Sequence, residues 1–185
     1  MLACVGIGTA AAQNNDSIPS RWKHKLEIGL NLNQASFTDN WKGGGTNNFA
    51  LGTLASGSLS YTHKKFSWMN DMQLQYGFQQ NKGQTRRKTQ DLVFIDSKLG
   101  YEISPQLNAF GAVNFVSQFA PGLNYSKDPA GNEIATVISR WMAPGYLTQS
   151  FGVQYKPVDY FMVRLGALAA RQTFVTDPVL SAAGA

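Results

Sequence analysis

Seven charged residues sit at alternate positions among polar neighbours: Lys25, Glu27, Asp71, Asp96, Lys98, Glu102 and Arg164. Charges placed in this way suit one of two tasks. They pair with one another and fill an interior, because an unpaired charge away from water is costly, or they line a pore and set its ion preference. A second group, Lys82, Arg86, Arg87 and Lys88, lies in a polar segment and offers donors suited to phosphate oxygens. Its competing reading is a solvated loop. Catalysis would need a nucleophile or an activated water beside a positioned base, usually His. The chain has only His24 and His63, neither near such a partner, and it is read as a non-enzyme. Cys4 is the single cysteine, so no disulfide or thiolate site is expected. No His, Cys, Asp and Glu cluster has ligand spacing, and neither metal nor cofactor is expected.

The elements that carry these charges read as strands. From Phe66 to Gln79, Phe66, Trp68, Met72, Leu74, Tyr76 and Phe78 take one parity while Ser67, Asp71, Gln73, Gln75 and Gln79 take the other; only Met69 and Asn70 break the pattern. A period of two is the strand signature. The run is longer than the ~5–6 residues of a common strand and meets the ~9–11 that a membrane strand needs. Aromatic residues at both ends are what the two membrane interfaces favour.

Six more segments alternate in the same way. They are about 23–37 (Leu26, Ile28, Leu30, Leu32 against Lys25 and Glu27), the run with Phe49, Leu51, Ala55, Leu59 and Tyr61, and about 90–103 (Val93, Ile95, Leu99, Tyr101 against Asp96, Lys98 and Glu102). The others are about 107–119 with Val113 and Phe115, about 146–155, and about 160–174, where Phe161, Val163, Leu165, Ala167 and Ala169 oppose Arg164 and Gln172. Connections alternate long and short. The segments 39–47, 81–89 and 120–145 are long, and Asp128-Pro129-Ala130-Gly131-Asn132 marks the tip of a hairpin inside the last; the turns at 63–65, 104–106 and 156–159 are short.

The expectation is an all-β fold: an antiparallel transmembrane β-barrel with at least seven long strands, incomplete at its C-terminus, from a full barrel of about 8 to 12. Short turns belong to the periplasm and long loops to the outside, which puts the N-terminus in the periplasm and both histidines at the periplasmic rim. Lipid would meet Leu26, Ile28, Leu30, Leu32, Leu74, Tyr76, Ile95, Phe115 and Leu165. A soluble sandwich or lipocalin-like barrel is the competing architecture, but it has no need of aromatic residues at both ends of such strands. The 185 residues are 15% charged and 43% hydrophobic, with no uncharged apolar run of the ~18 residues a helical span takes. Residues 1–12 read as the remnant of a secretory signal peptide, with Ala10 and Ala12 as its small-x-small site and Cys4 within it rather than a lipidated residue; 13–22 is a periplasmic segment and 23–185 the barrel domain.

A set of short motifs also carries a resemblance. They are Asn40-Trp41 with Gly43-Gly44-Gly45, Trp68-x-Asn70, Tyr76-Gly77, Arg87-Lys88-Thr89-x-Asp91, Ser97-Lys98-x-Gly100-Tyr101, Asn114-Phe115-x-Ser117-Gln118-Phe119-x-Pro121-Gly122 and Tyr155-Lys156-Pro157. In order and spacing they resemble a group of uncharacterised Bacteroidetes-type outer-membrane barrel proteins, catalogued as a domain of unknown function. The chain departs from that pattern at Ala143 before Pro144 and at Gly166-Ala167. The resemblance implies a location in the outer membrane and transfers no activity.

Function therefore reads as a filled outer-membrane barrel with a structural or surface-interaction role, and as the alternative a passive porin-like channel for small solutes. Mixed signs among Asp71, Asp96 and Lys98 suit internal pairing. The partners expected are membrane lipid and, through Lys82, Arg86, Arg87 and Lys88, lipopolysaccharide phosphates. The net charge of +5 is not assigned to nucleic acid, because a secreted barrel does not meet it.

Overall fold

A computed structural model describes residues 21–37 and 46–182. The residues read as signal peptide, most of the N-terminal segment, and Trp41 with its three glycines lie outside that range. Seven strands form one antiparallel sheet: β1 (Trp22–Ala35), β2 (Asn48–His63), β3 (Phe66–Asn81), β4 (Arg87–Ser104), β5 (Leu107–Ser117), β8 (Gly145–Val158) and β9 (Phe161–Phe174), paired in that order. Between β5 and β8 the chain makes a separate hairpin, β6 (Gly122–Lys127) and β7 (Glu133–Ser139). Its tip is held by Asp128, which accepts bonds from Asn132 N (2.7 Å) and Nδ2 (3.1 Å), with Gly131 at φ 87°.

Each strand pairs with its sequence neighbour in the main sheet because a two-residue turn or a returning loop joins them, and a meander is the shortest path. Long connections gather at one end and short turns at the other. Two boundaries differ from the sequence reading. Strand β8 continues through Lys156 and Pro157 to Val158, so the turn lies at Asp159–Tyr160. The segment after Phe174, to which the sequence reading assigned no element, folds into a short helix, α1 (Pro178–Ala182), where Asp177 caps Val179 N and Leu180 N at 2.9 and 3.1 Å.

Register carries each strand's parity across the sheet. Along one row Leu30 faces Thr53, which faces Tyr76, and along another Ala55, Leu74 and Val93 lie side by side. All nine residues read as lipid-facing fall on this apolar face, and all seven charges fall on the other. The apolar face is open rather than packed: Leu26 and Ile28 are each 65% exposed and Leu30 64%. Asn70, which breaks the sequence pattern, belongs to the apolar face and is covered there. Trp68 Nε1 donates to Ser97 Oγ (3.0 Å), and Ser97 Oγ donates to Asn70 Oδ1 (2.8 Å). Met69 belongs to the polar face, opposite Lys98.

The parity reading fails at one place. A bulge opposite Phe151 and Gly152 makes Ala167 the extra residue, since Phe151 pairs Leu168 while Gly152 pairs Gly166. Beyond it the phase inverts. Ala169, whose parity put it with Leu165 and opposite Gln172, lies on the polar face, and Gln172 lies on the apolar one opposite Leu147. The ladder runs from β1 to β9 without a pairing between those two among the described residues, so the sheet is open. No described helix is long and apolar enough to cross a membrane.

The bulge brings two backbones together at Gly152, where an added Cβ would collide with Leu165 O and meet Gly166 Cα at 3.0 Å. Gly166 has open space in that position. Gly152→Ala should therefore lower stability by about 1–3 kcal/mol, while Gly166→Ala is neutral or slightly stabilising. Urea-unfolding midpoints of the two variants in detergent micelles check this; equal midpoints would remove the bulge.

Candidate functional site

Two regions gather chemistry. The first is the long-loop end, where residues 118–144 fold back over β3 and β4. Its organiser is Asp91, whose side chain is only 2% exposed. It accepts bonds from the backbone N–H of Phe119 (3.0 Å) and Ala120 (2.9 Å) and pairs with Lys88 Nζ at 2.6 Å. Lys88 in turn donates to Ala120 O at 2.8 Å. One carboxylate thus ties the turn after β5 to the top of β4. Ser117 adds a second tie, accepting from Met142 N (3.2 Å) and donating to Pro144 O (3.3 Å), which leaves Ala143 fully buried.

The hairpin is anchored through Glu133. Its carboxylate accepts from Thr85 Oγ1 at 2.7 Å and pairs with Arg87 Nη2 at 2.8 Å. These contacts hold the Glu133 carboxyl below its usual range, the Thr85 bond contributing most. Arg87 also lies 4.7 Å from the Tyr125 ring centre, and Tyr125 OH donates to Arg86 O (3.2 Å). A cleft of about 450 Å³ opens between sheet and hairpin, lined by Tyr76, Phe78, Arg86, Lys88, Leu123 and Ile138 among others.

This geometry changes the reading of the basic cluster. Arg87 and Lys88 are neutralised by Glu133 and Asp91 and act as structural ties. Among the described residues, Arg86 stacks over Phe78 at 4.3 Å without an acidic partner, and the Lys82 ammonium has no partner. Asp91 was visible in the sequence only as part of the motif Arg87-Lys88-Thr89-x-Asp91, with no role assigned, and Glu133 not at all, since it finds Arg87 across a separation of 46 residues.

The second region is the polar face of the main sheet. Of the seven charges placed there, only Lys25 and Glu27 form an ion pair with each other (2.6 Å), on edge strand β1. Asp71, Asp96 and Lys98, expected to pair, form no ion pair with one another, although Asp96 attracts Lys98 from a greater distance. Asp71 and Asp96 stand directly opposite one another, and Asp96 accepts a long bond from Asn114 Nδ2 (3.4 Å). Lys98 and Arg164 instead converge on one ring: Lys98 Nζ is 5.2 Å and Arg164 Cζ 5.8 Å from the centre of Phe110. Both line a hollow of about 370 Å³ with Ser67, Asn108, Phe110 and Gln154. Glu102 lies in the row of Asn108, Gln154 and Arg164, three strands from the last. His24 and His63 both sit toward the short-turn end, His63 with its ring 6.5 Å from that of Tyr61.

A family described as a protein of unknown function (DUF3078) matches residues 32–123, from the end of β1 to the start of β6. The matched stretch includes Asp91 and the turn it holds, and it stops short of Glu133 and Arg164. No curated protein and no solved structure matches the chain.

Removing the charge at Asp91 should leave Lys88 without its counter-charge and two N–H groups with a weaker acceptor, so Asp91→Asn is expected to destabilise the loop by about 3 kcal/mol or more. Cleavage of residues 126–134 by added protease should accelerate accordingly. The Glu133 anchor carries a pH signature as well. A carboxyl with a depressed folded pKa adds stability above its ordinary pKa and loses it as pH falls through the depressed value. Hairpin cleavage should therefore rise as pH drops below the ordinary carboxylate range, and Glu133→Gln should reduce that rise, the remainder belonging to Asp128, whose carboxyl the Asn132 bonds also hold below its usual range.

Proposed function

We propose that the chain forms the wall of an integral outer-membrane β-barrel, with its N-terminal segment in the periplasm and its long loops outside, serving as a filled barrel with a structural or surface-interaction role. The observation that carries the reading is the apolar face. Exposed Leu, Ile, Met and Val side chains cover it from Leu26 on β1 to Leu165 on β9, an extent far beyond the scattered apolar residues of a water-soluble surface. Aromatic residues bound it at both heights. Trp22, Tyr61 and Trp68 cluster near the short turns (ring centres 4.8 and 6.2 Å apart), and Phe49, Tyr76, Phe78 and Phe119 cluster near the long loops. Trp68 and Phe78 are ten residues apart on β3, about 33 Å of strand, which a tilt of ~40° reduces to the ~25 Å apolar band of such barrels.

Bulky Leu54, Leu92, Phe94 and Phe110 on the polar face support the filled interior. The alternative, a passive channel, is favoured by one observation: apart from Lys25 and Glu27, the charges of that face form no ion pairs with each other among the described residues. Contact with lipopolysaccharide phosphates falls to Lys82 and Arg86, the two members of the basic cluster without acidic partners among the described residues.

Facing is tested by folding into lipid vesicles. Leu74→Arg should cost about 2–4 kcal/mol and Gln73→Arg much less; equal tolerance would remove the lipid-facing assignment. Function is tested in a planar bilayer, where the full-length protein should be silent. A steady conductance whose ion selectivity changes in Lys98→Glu would make the protein a channel.

A further inference from the structure

We infer that the hollow between Lys98 and Arg164 is a binding site for a small oxyanion, a carboxylate or a phosphate. The two cations come from strands β4 and β9 and converge over Phe110, which β5 contributes between them. Like charges held toward one another repel, and neither forms an ion pair among the described residues. No described carboxylate of this face forms an ion pair with either cation. Glu27 takes Lys25. Asp71 and Asp96 face one another. Asp96, two residues along the strand from Lys98, attracts it from a distance without an ion pair and accepts a long bond from Asn114, and Glu102 is three strand spacings from Arg164, about 14 Å.

Arg164 is also oriented. Gln154 Oε1 accepts from its Nε (3.2 Å) and Nη2 (3.0 Å), which fixes one edge of the guanidinium and leaves the Nη1 donors for a ligand. A planar guanidinium with a second cation beside it suits the two oxygens of a carboxylate or phosphate. Asn108 adds an amide to the lining. The turn Lys64–Lys65, at the same end of the sheet, raises the positive potential an anion would meet on approach. This site stands whether the apolar face meets lipid or another protein, and whether or not the interior conducts.

Isothermal titration of the full chain in detergent micelles, with inorganic phosphate in one arm and sodium acetate in the other at constant ionic strength, tests it. The protein should bind at least one: phosphate alone points to a phosphate ester, acetate alone to a carboxylate, and both to oxyanions in general. Lys98→Met and Arg164→Gln should each weaken binding by about tenfold or more. Lys98→Arg should retain it, and Lys25→Met, which removes a cation already paired with Glu27, should leave it unchanged. Arg164 is exposed on β9, so its variant reports even where Lys98→Met fails to fold. No binding of either anion, or equal binding by Arg164→Gln and the unaltered chain, would overturn the inference.

Discussion

The constraint on which everything else rests is the antiparallel ladder itself. Once two strands pair, each residue is locked beside one partner, and successive residues must point to opposite faces. Across six consecutive interfaces this turns alternating segments into one apolar face and one polar face. A slip of one residue at any interface would place Leu and Ile beside Asp and Lys. The hydrophobic pattern thus selects the register, and the register makes the pattern continuous.

Deviations from the ladder do local work. The bulge at Ala167 inverts the phase of the end of β9, which carries Arg171 to the polar face and Gln172 to the apolar one. A similar irregularity opposite Gly77 and Phe78 leaves Thr89 unpaired and puts Lys88 beside Phe78 on the apolar face, from where it reaches Asp91 and the loop after β5. Without that shift Lys88 would point to the other side. The anchoring of the loops therefore depends on one extra residue in β4.

Charge is used differently at the two ends. Near the long loops, acids and bases meet in pairs that hold segments distant in sequence: Lys88 with Asp91, Arg87 with Glu133, Arg140 with Asp177. On the polar face the charges are arranged by sign instead, two carboxylates opposite one another and two cations around one ring. The first arrangement is a clamp, strongest at Asp91, whose buried carboxylate with several donors is costly to remove. The second leaves charge available to a ligand.

Much of this was legible in the chain. Strand existence, parity, the hairpin at Asp128–Asn132 and the long–short rhythm of connections follow from local rules, because side-chain alternation and turn chemistry act over a few residues. So did the separation of Leu26 or Leu74 from Lys25 or Asp71. Tertiary structure alone decided what depends on alignment between strands. That Lys98 and Arg164 share Phe110 rather than pairing with Asp71 and Asp96 is a matter of register over four strands. That Arg87 belongs to Glu133 depends on where a hairpin folds back. The bulge at Ala167 depends on how β9 aligns with β8, which no pattern within β9 reveals.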